Sequence, residues 1–129
     1  MCLSNSIRIV VASTQAAERF GLTVMIGSQA DMEVVAQTGS IQDALKLLST
    51  HGPDIALIDA TLFDERADGT ISYLREQQPQ CRLLLLAMYD SDEQIGSALR
   101  AGAHGYVLKG AAHGELLQAI RKAHAMGAR

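Results

Sequence analysis

The chain has 129 residues, enough for one compact domain of ordinary size and too few for two. Hydrophobic residues make up 48% of it and charged residues 19%, which excludes a disordered polar segment, while an aromatic share of 4% predicts an aliphatic core. A formal net charge of -3 argues against a domain that binds nucleic acid through a basic surface.

Two features of the sequence predict a reduced, cytoplasmic protein. Cys2 and Cys81 do not form a spaced pair, and Cys81 begins an apolar run in which it reads as a small hydrophobic residue. No apolar stretch is long enough to cross a membrane, and residues 1–6 lack the basic start and apolar core of a signal peptide.

Five short apolar runs predict five β-strands. They lie at residues 7–12, 33–37, 54–59, 82–88 and 105–109. Three of them, IRIVVA, DIALID and RLLLLAM, are almost continuously apolar, which is typical of strands covered on both faces of a parallel sheet. A helix is the alternative for RLLLLAM, but its shortness and the upstream Pro79 favour a strand.

Helical patterns separate these runs. The first covers residues 16–26, with Phe20, Val24 and Ile26 expected to point inward, although Gly21 and Thr23 weaken it. The others follow at residues 41–51, 70–78, 91–101 and 115–125.

The second helical pattern has clear ends. Ser40 and Asp43 form a variant capping box before it, and Gly52 and Pro53 end it.

A βα unit therefore recurs five times, which predicts a doubly wound (βα)5 three-layer α/β sandwich with residues 1–129 as a single domain. In such folds the ligand site lies beyond the carboxyl ends of the central strands. The residues expected there are Ser13, Thr14, Asp59, Ala87 to Tyr89, and Lys109.

At these positions the sequence resembles the receiver domains of bacterial two-component response regulators, the CheY-like domains, in the NarL/FixJ branch whose full-length members carry a LuxR-type helix-turn-helix. The resemblance covers nearly the whole chain, and RAGAHGYVLK is its most specific part; the other segments are IRIVVA, MEVVAQTGSIQDALKLL, PDIALIDATL and LLLLAMYDSDEQIGSALRAGAHGYVLKG. It implies a five-stranded parallel sheet of order 2-1-3-4-5. It also places Asp59 at the phosphoacceptor position, Lys109 at the invariant lysine and Tyr106 at the switch aromatic.

Three departures from the family pattern concern the pocket. Ser13 and Thr14 stand where the family has two acidic residues that help to hold Mg²⁺, and Ala87 stands where a hydroxyl residue contacts the phosphoryl group. The family pattern D-x-x-M-P-x-x-x-G is replaced by DATLFDERADG, a loop two residues longer. Without a hydroxyl at Ala87, we favour ordinary packing over a switch role for Tyr106.

Charge counting gives the departures a physical meaning. A conventional receiver pocket holds three carboxylates and one ammonium, which a divalent cation neutralises, whereas this pocket is expected to hold only Asp59 and Lys109. Those two neutralise each other, so we expect no cofactor, and Mg²⁺ only if the degenerate pocket still binds metal. In the extended loop Asp64, Glu65 and Asp68 are weak candidates for replacement ligands, against the simpler interpretation of a solvated acidic turn.

The favoured function is a non-catalytic regulatory module with weak or absent Mg²⁺-dependent phosphorylation, belonging to a LuxR-type transcription regulator. Its expected partners are a sensor histidine kinase or another regulatory protein and a second copy of itself, with DNA bound only by a domain outside this chain. One alternative is a conventional phosphoacceptor that catalyses its own phosphorylation on Asp59. Another is a small-molecule-binding domain in which hydroxyls and Lys109 bind an anion.

Overall fold

A computed structural model of the chain describes residues 6–63, 67–88 and 93–126. Within them lie five strands: β1 Ile7–Ala12, β2 Met32–Thr38, β3 Ile55–Asp59, β4 Arg82–Ala87 and β5 Gly105–Leu108. They form one parallel sheet of order β2-β1-β3-β4-β5, as the family resemblance implies.

Five helices connect or follow the strands: α1 Ala16–Gly27, α2 Ile41–His51, α3 Ala67–Gln77, α4 Glu93–Ala101 and α5 His113–Met126. A short 3-10 turn, Ala60–Leu62, directly follows β3. Helix α3 begins three residues earlier than predicted, because the apolar periodicity that located it starts only at Ile71.

The helices cover both faces of the sheet, which confirms the three-layer α/β fold. On one face Ile26 of α1 and Leu116 and Ile120 of α5 pack against alternate residues of the central strands. On the other face α2, α3 and α4 contribute the buried side chains Ala44, Leu48, Ile71, Leu74 and Ala98. Both faces of β3 are therefore covered, and all five of its residues are buried.

Local signals fix α2 as expected. The Ser40 hydroxyl accepts a hydrogen bond from the Asp43 backbone N–H at 3.0 Å, so it satisfies one of the free donors at the start of the helix. Gly52 ends the helix in the left-handed conformation, with φ of 55°, which a residue with a Cβ adopts only at a cost.

The expected inward face of α1 is partly wrong. Ile26 is fully buried, but Phe20 is 69% exposed and Val24 is 55% exposed. Phe20 and Val24 are four residues apart and share a face, whereas Ile26 lies more than half a turn away from Val24. The side chains that pack inward beside Ile26 are those of Leu22 and Met25.

The other sequence features have simple structural outcomes. Cys81 is buried at the start of β4, and burial raises the pKa of its thiol to about 12, so it stays protonated as a small apolar residue. Within the described ranges, no helix is both long and apolar enough to span a bilayer.

The parallel sheet brings the carboxyl ends of its five strands to one edge. The Ser13 backbone N–H donates to the Thr38 carbonyl at 3.0 Å, and the Lys109 N–H donates to the Ala87 carbonyl at 2.8 Å. These two bonds carry the ladder one residue past β1 and β5. Ser13 and Lys109 are therefore held by backbone at the same edge as Asp59.

Candidate functional site

Asp59 is the buried carboxylate at the end of β3, with 1% of its surface exposed. Its Oδ1 accepts two hydrogen bonds from Thr61, one from the backbone N–H at 3.0 Å and one from the side-chain hydroxyl at 2.9 Å. A carboxylate that caps the backbone two residues ahead forms an Asx turn, and here it starts the 3-10 turn that follows the strand. One oxygen of Asp59 is thus committed to local structure.

The second oxygen of Asp59 is committed to Lys109. The Lys109 ammonium donates to Asp59 Oδ2 at 2.6 Å, and 17% of the Lys109 side chain is exposed. Charged hydrogen bonds of this length are among the strong ones in proteins. The two residues that the sequence places at the ends of β3 and β5 are therefore in direct contact, although β4 lies between those strands.

The protonation states of this pair follow from their surroundings. Burial alone would raise the pKa of the Asp59 carboxyl, but the hydrogen bonds from Lys109 and Thr61 outweigh it and hold the pKa below its ordinary value. Burial likewise opposes the charged form of Lys109, and the carboxylates of Asp59 and Glu18 outweigh it and raise the Lys109 pKa. Both groups are charged at neutral pH.

Ser13 and Thr14 have different environments. Ser13 is fully buried at the pocket edge, and its hydroxyl donates to Glu18 Oε1 at 2.5 Å while accepting from the Gln15 N–H at 3.3 Å. Thr14 is exposed. Only the first of these two positions is enclosed by the pocket.

Glu18 is a pocket residue that the sequence did not single out. It lies in the first turn of α1, and its Oε2 is 3.4 Å from the Lys109 ammonium. The expected count of one carboxylate and one ammonium is therefore wrong, since the pocket holds two carboxylates around one ammonium. The available signal was its place in the first turn of the helix that follows Ser13, from which its side chain can reach back to the strand end.

Ala87 and Tyr106 have surroundings that differ from those of the charged group. Ala87 is buried in a small apolar cluster with Ala60 and Ile95, against which Leu108 packs. Tyr106 is 39% exposed on the edge strand β5 and lines a groove with side chains of α5. The apolar cluster gives the end of β4 no hydroxyl to offer an anion.

The replacement ligands considered for a metal are not placed. Asp64 and Glu65 lie outside the described residues, and so does the side chain of Asp68. Among the residues that are described, no three His, Cys, Asp or Glu side chains converge as a metal cluster. Mg²⁺ prefers several oxygen ligands in octahedral array, whereas an ammonium lies between the two carboxylates here, so the described side chains fit the ion poorly.

Comparison with known sequences shows what the chain is similar to. Residues 9–121 match the response regulator receiver domain. The chain is 36% identical over 116 residues to the oxygen regulatory protein NreC of Staphylococcus haemolyticus and 35% identical over 116 residues to that of Staphylococcus aureus. These alignments cover 88% of the chain but 53% of each relative, so the chain spans about half the length of the curated relatives it matches.

Solved structures show the same similarity. The chain is 25% identical to the signal receiver domain of NarL from Mycobacterium tuberculosis, with a TM-score of 0.85 over 94% of this chain and 98% of that one. It is 28% identical to a two-component response regulator of the LuxR family from an Aurantimonas species, with a TM-score of 0.85 over 94% of this chain and 86% of that one.

Proposed function

Because the chain belongs to the response regulator receiver domain family, we propose that it is the signal-input module of a LuxR-type transcription regulator in which Mg²⁺-dependent phosphorylation of Asp59 is weak or absent. Receiver domains are signalling domains and not conventional enzymes. The function is regulatory: the domain passes a signal by favouring one of two conformations or docking states.

The observation that carries this proposal is the 2.6 Å bond between Lys109 and Asp59. Phosphoryl transfer depends on cations that absorb charge on the equatorial oxygens, and Mg²⁺ is normally the principal one. In this pocket the strand end carries the hydroxyl of Ser13, and the ammonium satisfies the oxygen of Asp59 that Thr61 leaves free. Phosphorylation would have to break that bond without a bound divalent ion to replace it.

Receiver domains interact with histidine kinases and with other regulators. We extend this to a partner histidine kinase or regulatory protein for this chain, to a homodimer, and to DNA binding through a separate domain of the kind found in LuxR-type regulators. The relatives are about twice as long as the matched region, which supports a second domain in the parent protein.

A conventional phosphoacceptor is the second candidate function. It is favoured by the buried Asp59 and the nearby Lys109, which occupy the positions that such a site requires. In that case an oxygen of Asp59 would attack the phosphorus of a phosphohistidine, the P–N bond would break and the kinase's imidazole would leave, and Lys109 would pair with an oxygen of the transferred phosphoryl group.

The two candidates differ in an intact-mass experiment. The protein is incubated with Mg²⁺ and a small acyl-phosphate donor, with an Asp59→Asn variant as the control. We expect at most a few per cent of wild-type protein to gain one phosphoryl group, because the main electrostatic contribution to transfer is missing. A stoichiometric mass increase that needs both Mg²⁺ and Asp59 would instead establish the conventional phosphoacceptor.

A further inference from the structure

Glu18 adds a negative charge to the pocket, which the Asp59–Lys109 pair alone would leave neutral. Lys109 lies 2.6 Å from Asp59 Oδ2 and 3.4 Å from Glu18 Oε2, so these two carboxylate oxygens are at most 6.0 Å apart, the sum of the two distances. Like charges in this range disfavour one another's ionised forms. Two carboxylates around one ammonium leave the group with one net negative charge.

The position of Glu18 is fixed on both sides. One carboxylate oxygen is held by the Ser13 hydroxyl and the other faces Lys109, while only 20% of the side chain is exposed. Arg19, the next residue, donates from Nη1 to the Ser13 carbonyl at 2.7 Å and secures the first turn of α1 against the strand end. The Glu18 carboxylate is therefore directed at the pocket and not at solvent.

We propose that Glu18 is a specificity-determining residue of this pocket. Its carboxylate is a second, permanent anionic partner of Lys109 beside Asp59, and it disfavours a tetrahedral anion on Asp59. The inference rests on the proposed function in that Asp59 is taken as the position that would carry such an anion. Coordination of beryllofluoride makes the charge argument explicit. A carboxylate oxygen of Asp59 donates an electron pair to beryllium and displaces the water ligand of aqueous BeF3⁻, so the negative charge at Asp59 rises from one to two.

That added charge must be shared by one ammonium. With Glu18 in place, the doubly charged adduct and the Glu18 carboxylate compete for the Lys109 ammonium. With a neutral side chain at that position, Lys109 pairs with the adduct alone. The simpler interpretation of Glu18 is an acid that stabilises the start of a helix. It predicts lower stability when the charge is removed, but no gain in affinity for an anion.

The experiment is a beryllofluoride titration in Mg²⁺-free buffer, followed by fluorine NMR. Glu18→Gln is expected to bind beryllofluoride about tenfold more tightly than wild type, since one neighbouring like charge is worth about one logarithmic unit. Glu18→Ala, which cannot replace the hydrogen bond to Ser13, is expected to show the same gain. The matched control is Glu115→Gln, which removes an exposed acid from the first turn of α5 and should leave the affinity unchanged.

Asp59→Asn in the Glu18→Gln background should abolish the signal, which locates the adduct. Equal or weaker binding by both Glu18 variants, or no adduct in any protein, would overturn the proposal. Failure of the proposed function looks different, because wild-type protein would then form a stoichiometric adduct once Mg²⁺ is added. The ratio of beryllofluoride affinities between the Glu18 variants and wild type is measured in Mg²⁺-free buffer, so it tests the role of Glu18 independently of that result.

Discussion

At pH 7 a Lys109→Met variant is expected to lose roughly 3 kcal/mol of its free energy of unfolding, because the substitution leaves a buried charge without its counterion. Asp59 is 1% exposed, and without Lys109 its carboxylate would retain only the two hydrogen bonds from Thr61. Urea denaturation at pH 7 measures the loss. The matched control is Lys122→Met, which removes an exposed lysine of α5 and should change stability by less than about 0.5 kcal/mol.

The pH dependence of this loss has a definite sign. In the wild type the Asp59 pKa lies below its ordinary value, so the pair's contribution is present above the ordinary pKa and is lost as pH falls through the folded pKa. Without Lys109, burial is the dominant influence and raises the Asp59 pKa, so the penalty lessens as the acid protonates. The difference between the two proteins should therefore shrink from pH 7 towards about pH 4.

A second variant separates the charge explanation from lost packing. Asp59→Asn in the Lys109→Met background removes the stranded charge and is expected to recover most of the lost free energy. A Lys109→Met protein as stable as wild type at pH 7, or a deficit that widens on acidification, would refute the view that this pair stabilises the pocket by mutual neutralisation.

Ser13→Asp, which restores one acid of the family pattern, is expected to destabilise this protein by about 2 kcal/mol at pH 7. The Ser13 hydroxyl is buried and donates to Glu18 at 2.5 Å, so a carboxylate at that position would face a second carboxylate. In a Glu18→Gln background the cost should fall below about 1 kcal/mol, because the amide can donate to the new acid. Urea denaturation of wild type, the two single variants and the double variant gives the coupling energy between positions 13 and 18.

Thr14→Asp is the matched control for that series. It adds the same charge one residue further on, at an exposed position, and is expected to change stability by less than about 0.5 kcal/mol. If Ser13→Asp costs no more than Thr14→Asp, or if the Glu18→Gln background leaves its cost unchanged, then Ser13 and Glu18 do not act as a matched pair.

The fold was predictable because its signals are local and repeated. Runs such as RLLLLAM lie in strands, and the capping residues Ser40 and Gly52 bound α2 as expected. The inward face of α1 was harder to predict, because Phe20 is apolar yet exposed. Hydrophobicity alone does not reveal which face of a helix packs against the sheet.

The candidate site was predictable only in part. Asp59 ends β3 and Lys109 directly follows β5, and these two strands flank β4 with their carboxyl ends at the same edge, so the family pattern and the topology both bring the residues together. Glu18 and Thr61 were not singled out because each acts through a side chain that turns back towards a strand end. That turn depends on rotamers and on the hydroxyl of Ser13, which a linear pattern does not encode.

We propose that an ammonium, and not a divalent ion, balances the carboxylates of this pocket. The most direct test of this proposal is a titration of wild-type protein with Mn²⁺, following paramagnetic broadening of backbone amide signals. We expect the amide signals of Ser13, Asp59 and Lys109 to broaden no more than that of the exposed Glu115. Saturable broadening centred on Asp59 at low Mn²⁺ concentration would contradict it, because a functional metal site would then exist despite Lys109.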